Sequence, residues 1–248
     1  MFFRKKLSGD PISALQKLSP NSKPISHHDF EALLAKHVKN TGLVDYVGFG
    51  QDRTALQNYL KSLSNNPPNA VHWSENEQLA YWINAYNAFT VELVLQHYPV
   101  DSIKTLGPKL QIPGVNSVWD LSFFQIGGID MTLNVIEHEI LRKQFDEPRI
   151  HFAINCASFS CPNLIQQVYH ADQLETQLQK QAIAFVNDPS KNRITAEQVE
   201  LSQIFQWYAG DFTKRCSLID YVQQFAEVRI SPSAKIEYIT YDWSLNGV

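Results

Sequence analysis

The 248-residue chain is poor in cysteine, holding only Cys156, Cys161 and Cys216. Three thiols cannot make a disulfide framework, although one bridge beside one free thiol stays open. It also lacks any run of about 18 apolar residues, which excludes a transmembrane helix. Positive charge is not in excess: 21 Lys and Arg stand against 25 Asp and Glu. That balance gives no electrostatic reason to expect nucleic acid as a partner. The basic cluster Arg4-Lys5-Lys6 is too small to anchor the chain to a membrane surface. The opening MFFRKKLSGDP lacks the apolar stretch of a signal peptide, so a cytoplasmic protein is expected, or a periplasmic or secreted one if a signal was removed. There is no repeat and no low-complexity segment. No H-x-x-x-H or C-x-x-C spacing appears, so no metal and no cofactor is expected.

Large aromatic side chains, by contrast, are plentiful: five Trp, ten Tyr and fourteen Phe can fill a substantial core. Residues 1–25, with Pro11, Pro20 and Pro24, read as an extended leader, and residues 26–248 as one globular domain. Helices are expected at 27–38 and 54–63, with a short strand at 43–49 between them. The strongest helix begins at the capping box Ser74-Glu75-Asn76-Glu77 and ends near Tyr98, before Pro99. On its wheel Leu79, Trp82, Ile83, Tyr86 and Phe89 share an apolar face, while Tyr81, Glu92 and Gln96 lie opposite. Asn84 and Asn87 fall side by side on the flank. Gly127-Gly128 marks a hairpin, and Thr132 caps a helix over 133–145. A strand over 149–156, a helix over 172–186, a hairpin over 193–201, helices over 202–212 and 217–225 and a strand over 235–241 complete the reading. The fold class is α+β: a predominantly helical single domain with a small sheet and short hairpins.

Several polar residues sit against the grain of this pattern. Glu137 projects inside the apolar arc of its helix, His138 borders it, and Arg142 lies one turn further along. A carboxylate on an apolar face needs a partner, and Arg149 is the candidate. Alternation along 149–156 puts Ile150, Phe152, Ile154 and Cys156 on one face and His151, Ala153 and Asn155 on the other. Cys156 is thus expected in the core. Cys161, before Pro162, is expected at the open end of the strand, where a thiol can react.

At these residues the chain resembles the family catalogued as domain of unknown function 547. The motifs are QLAYWINAYNAFTV (78–91), IEHEILR (136–142), PRIHFAINCASFSCP (148–162), LSQIFQWYAGDF (201–212) and YDWSLN (241–246), and the resemblance runs over residues 28–246. Tyr81 stands where Phe is as common. Many bacterial members look exported. The resemblance implies motif positions at Asn84, Asn87, Glu137, His138, Arg142, Arg149, His151, Asn155, Cys156, Ser158, Cys161 and Asp211, and no established activity.

Two functional readings follow. In the first, the chain is a cysteine-dependent hydrolase or transferase. Cys161, or in second place Cys156, is the nucleophile, His138 or His151 the base, and Glu137 or an asparagine orients the imidazole. Backbone amides of 157–161 would form the oxyanion site, and Asn84, Asn87, Arg142, Arg149, Asn155 and Ser158 would bind substrate. In the second, the same cluster is a non-catalytic pocket for a small molecule or peptide. A Cys156–Cys161 bridge and a packed scaffold with a Glu137–Arg149 pair are the structural counterparts.

Overall fold

The computed structural model describes Leu15, residues 19–107 and residues 117–248. Most of the expected leader (1–14 and 16–18), with its basic cluster, and residues 108–116 lie outside the described residues. Leu15 is buried in the core. The Ser22 carbonyl accepts from Asn69 Nδ2 (2.8 Å) and Trp73 Nε1 (3.1 Å), so the chain at Ser22 is packed on the domain.

The fold is α+β and mostly helical. Helices α1 (His28–His37), α2 (Tyr46–Gln51) and α3 (Arg53–Asn65) precede the long α4 (Glu75–His97). The expected strand at 43–49 is largely α2. Asp45 accepts the Gly48 amide at 2.8 Å and starts a helical turn, leaving only Val44 in isolated bridges to Val38 and Gly247. Helix α4 starts as expected, with the Ser74–Glu77 capping box formed in both directions. It has no solvent face along most of its length: every residue from Leu79 to Leu95 is buried. Tyr81 and Glu92, expected outward, are therefore inside. The Tyr81 hydroxyl donates to the Leu63 carbonyl at 2.7 Å, and Arg53 Nη2 meets Glu92 Oε1 at 2.7 Å. A helix enclosed by neighbours must satisfy its polar side chains internally, and these two do.

Beyond α4 comes the hairpin of β1 (Phe124–Ile126) and β2 (Ile129–Met131), turning on Gly127 and Gly128 with φ of 59° and 75°. Two successive positive φ values are what such a two-residue turn demands. The next helix is a π-helix over Val135–Leu141, continued by α5 (Arg142–Gln144). The Arg142 amide reaches back to the Glu137 carbonyl, the widened register that defines it. It packs against α4.

The expected strand over 149–156 is absent. Pro148 opens a 3-10 helix, Pro148–Phe152, whose preceding Glu147 side chain accepts the Arg149 amide at 3.0 Å. Proline at the first position favours that helical start. Period-two alternation therefore fails, and Ile150, His151 and Phe152 are all buried. Phe152 enters a second core cluster, stacking on Phe185 and Phe212. The remainder comprises α6 (Leu174–Val186), the sheet β3 (Arg193–Ile194), β4 (Gln198–Ser202) and β5 (Lys235–Ile239), and the helices α7 (Gln203–Trp207), α8 (Ala209–Phe212) and α9 (Leu218–Gln223). Strand β4 is central, antiparallel to β3 and parallel to β5.

Asn84 and Asn87 act on backbone. Asn84 exchanges two hydrogen bonds with the Tyr169 peptide, both 2.9 Å. Asn87 donates to the Ala153 carbonyl (3.0 Å) and accepts the Asn155 amide (2.8 Å). Replacing Asn87 by Ala strands two buried peptide groups. The expected loss is about 2–4 kcal/mol at one to two kcal/mol for each orphaned group, read as a fall in the urea midpoint. An unchanged midpoint would show that the clamp carries no stability.

Candidate functional site

The loop 153–162 joins no sheet, apart from an isolated bridge between Ser158 and Leu245. Its peptide groups are satisfied piecemeal. Asn155 Nδ2 donates to the Pro162 carbonyl at 2.7 Å, while its Oδ1 accepts the Ala157 amide at 2.9 Å and Asn246 Nδ2 at 3.2 Å. The amides of Phe159 and Ser160 donate to the carbonyls of Ser244 and Asp242, and that of Cys161 to Ser158. The Cys156 amide points at Cys161 Sγ, 2.9 Å away. Ala157 sits at φ 62°, in the left-handed region that costs a non-glycine residue about 1–2 kcal/mol. Strain of this kind persists only where the surroundings impose it. Four of the amides expected to form an oxyanion site (157, 159, 160 and 161) are thus already engaged.

The loop borders a cavity of about 160 Å³ whose walls include Glu137, His138, His151, Cys156 and Cys161. The two histidines therefore share one cavity. The π-helix supplies Glu137 and His138, the 3-10 helix His151, and helix α7 with the residues after it Trp207 and Tyr208. The C-terminal stretch adds Tyr241 and Trp243. All three cysteines are free thiols.

The two loop cysteines exchange their expected roles. Cys161 is buried and Cys156 is half-buried in the cavity wall. Period-two alternation placed Cys156 in the core, but it does not apply to a loop that is not a strand. Cys156 Sγ lies 3.0 Å from Ser158 Oγ and 3.4 Å from the Tyr241 hydroxyl. Burial alone would raise the Cys156 thiol, but hydrogen bonding from Cys161, Ser158 and Tyr241 outweighs it and brings the thiol down to about 7. Burial first, then the neighbouring Cys156, pushes the Cys161 thiol well above its ordinary value.

His151 is anchored from behind. Its Nε2 is 2.8 Å from Asp211 Oδ2, and its ring stacks on Tyr208 with centroids 3.9 Å apart. Arg142 grips the same carboxylate through Nε (2.6 Å) and Nη2 (3.1 Å), and its Nη1 meets His138 Nδ1 at 3.1 Å. Burial would raise the Asp211 carboxyl; hydrogen bonds from His151 and Arg142 outweigh it and hold it well below the usual carboxylate range. Burial lowers the His151 imidazole despite Asp211, so Arg142 supplies the charge that balances the carboxylate. An ionised Asp211 can only accept, which puts the proton of a neutral His151 on Nε2. Nδ1 is then a bare lone pair, buried and without a hydrogen-bond partner among the described residues.

Glu137 is not paired with Arg149. It accepts the hydroxyls of Tyr86 (3.2 Å) and Tyr208 (2.5 Å). Arg149 faces away, held by Glu147 and Glu175 at 2.6 and 2.7 Å. It lines a different pocket, with Gln179 and Tyr221. The Pro148 turn is the reason: it points Arg149 toward α6, and the carboxylate it finds there is Glu175. Asn84, Asn87 and Asn155 also stand outside the cavity wall, each occupied by peptide groups. Ser158 stays beside the thiol. Sequence reasoning missed Tyr208 and Tyr241 and gave Asp211 no role. Their signal lay in LSQIFQWYAGDF and YDWSLN, where polar atoms stand among large aromatics.

A family model described as Protein of unknown function, DUF547, matches residues 70–186, and the chain resembles that family there. The match includes Glu137, His138, His151, Cys156 and Cys161, whereas Tyr208, Asp211, Tyr241 and Trp243 lie beyond it. No curated protein and no solved structure matches the chain. Among the described residues no helix is long and apolar enough to cross a membrane, and no three His, Cys, Asp or Glu side chains group to hold a metal ion.

Asp211 makes the site's contribution to stability pH-dependent. A carboxyl depressed in the folded state stabilises fully above its unfolded value of about 4, and this is lost as pH falls through the folded value. Asp211→Asn is therefore expected to cost about 1.5–3 kcal/mol near neutrality, the range for hydrogen bonds to a charged group. The gap to wild type should narrow as pH drops below about 4. Urea midpoints across the acid range check this; a gap that stays constant would show that the ionised form is not what the site holds.

Proposed function

We propose that the chain is a cysteine-dependent acyl hydrolase or acyltransferase with Cys156 as nucleophile. The observation that supports it is the placement of this half-buried thiol on a strained turn, in the same cavity as a histidine whose second ring nitrogen is buried and unpartnered. The roles follow from the chemistry of each group. His151 Nδ1 takes the thiol proton, and the thiolate adds to the acyl carbon, forming a C–S bond. Collapse of that adduct expels the leaving group, which takes the proton back from His151. Water or a second nucleophile then attacks the thioester, gives its proton to Nδ1 and releases Cys156. Asp211 positions the imidazole and stabilises its charged form, with Arg142 fixing Asp211. With four of the five loop amides engaged, the Tyr241 hydroxyl is the donor assigned to the developing oxyanion. A thiol near 7 is partly ionised at neutral pH, which suits it to attack. Cys161, buried and raised, is assigned the supporting part: it accepts the Cys156 amide and holds the turn.

Alkylation by iodoacetamide, with each site read by mass spectrometry, tests the nucleophile. Cys156 is expected to label first, with a midpoint near pH 7, ahead of Cys216 and far ahead of Cys161. Native protein given p-nitrophenyl acetate should release a burst of nitrophenol that Cys156→Ser abolishes. His151→Ala should slow acylation at least tenfold, at the low end of the contribution of a general base. Labelling of Cys156 no faster than Cys216 would sink the proposal and leave the cavity a binding pocket for a small molecule or peptide.

A further inference from the structure

Glu137 is the one carboxylate among the described residues that line the cavity. It is 5% exposed, and the two groups that bind it are neutral tyrosine hydroxyls. The two oxygens of a carboxylate can accept about four hydrogen bonds, and these hydroxyls supply two. It forms no ion pair among the described residues. Arg142, one turn along, is committed to Asp211, and no lysine or arginine among the described residues lines the cavity. A buried carboxylate without a direct ion pair is costly, and a cation supplied by a ligand would reduce that cost.

Three tryptophans, Trp119, Trp207 and Trp243, line the same cavity. Trp207 and Trp243 stack with centroids 5.6 Å apart and planes at 24°, and Trp119 lies 5.7 Å from Trp243. The negative face of an aromatic ring attracts cations, indole most strongly. Trp243 already carries an ammonium of the chain itself, Lys104 Nζ at 4.7 Å over the ring, so Trp119 and Trp207 are the indoles assigned to a ligand. A cavity of about 160 Å³ has room for a trimethylammonium head, being close in volume to cavities that hold benzene. The unpartnered Nδ1 of His151 can receive a hydroxyl or amine proton from the same ligand.

We propose that this cavity recognises an organic ammonium, an alkylated or quaternary amine held between the tryptophan faces and the Glu137 carboxylate. Its meaning as the substrate's recognition group rests on the reading of Cys156 as nucleophile; the binding itself does not.

Choline and its uncharged isostere 3,3-dimethylbutan-1-ol separate charge from shape. Tryptophan fluorescence of the full chain is expected to respond saturably to choline, with the isostere binding about tenfold or more weakly, the size of one desolvated cation–π contact. Glu137→Gln should bring choline down to the level of the isostere without changing the isostere's affinity. Should that variant fail to fold, Trp207→Ala, at an exposed rim position, should weaken choline several-fold. The pair of ligands on the wild-type chain also needs no variant at all. Equal affinity for both ligands, or no saturable response to choline, would overturn the proposal. The two readings fail separately. Choline binding beside an inert Cys156 keeps the ammonium site and removes the enzyme, whereas a reactive Cys156 that choline neither binds near nor protects keeps the enzyme and removes the ammonium site.

Discussion

The structure around Cys156 depends on one requirement: a buried segment without a sheet partner must still satisfy its peptide groups. Loop 153–162 has no regular ladder, and the side chains of two asparagines, braced by a third, substitute for one. Asn87 reaches in from the central helix and Asn155 folds back on its own loop, while Asn246, from the C-terminal stretch, donates to the Asn155 side chain. Each amide side chain carries a donor and an acceptor, so it can replace a peptide partner on both sides. This explains why asparagine rather than aspartate or serine occupies these positions. It also explains why the YDWSLN stretch lies along the loop: its carbonyls at Asp242 and Ser244 accept the amides the asparagines do not reach. With the backbone fixed this way, Ala157 can be held in a left-handed conformation and the Cys156 side chain turned out of the core.

Behind the cavity a second chain of constraints runs through charge. Arg142 holds Asp211, Asp211 holds His151, and Tyr208 covers the imidazole on one face while donating to Glu137. Arg142 also lies over the Tyr208 ring. The ion pair is neutral as a unit, so the imidazole stays neutral in a buried site and its tautomer is set from outside. Glu137 belongs to none of these pairs; it lines the cavity and accepts hydroxyls from Tyr86 and Tyr208. The π-helix matters here: its wider turn lets Glu137 and His138 both line the wall while Ile136, Ile140 and Leu141 keep the core face.

Much of this was legible in the sequence, and the parts that were not share a cause. The α4 capping box, the Gly127-Gly128 hairpin and the helix 172–186 were readable because their signals are local. Glu137 and His138 were readable because a charge on an apolar arc is anomalous wherever the partner lies. Arg149 was misassigned as that partner because pairing is a tertiary fact. The nearest carboxylates turned out to be Glu147 and Glu175, while Glu137 found tyrosines from α4 and from beyond α7. The strand over 149–156 failed for a more instructive reason. Ile150, Phe152 and Ile154 alternate with smaller or polar residues, but Pro148 and Glu147 begin a helical turn, and both faces of the segment are buried. Once every face is interior, alternation carries no information about direction. The same holds for α4, where a wheel drawn for an amphipathic helix put Tyr81 and Glu92 outside.

The pairing of two cysteines five residues apart, in a chain with only three, follows from that loop geometry. A sulfur at 161 accepts the Cys156 amide where no peptide carbonyl is available, and it does so as a small apolar group that can be buried at little cost. Its burial keeps it protonated and unreactive, so the turn holds two thiols without competition between them. Cys156 sits in the opposite situation, beside Ser158 and Tyr241, whose hydroxyls favour the charged sulfur. Residue type is the same at both positions; hydrogen-bond donors and solvent access differ. The division of labour between the sulfurs is therefore made by the neighbours that the asparagine-held loop brings to each, and a sequence that names both cysteines cannot distinguish them until that loop is folded.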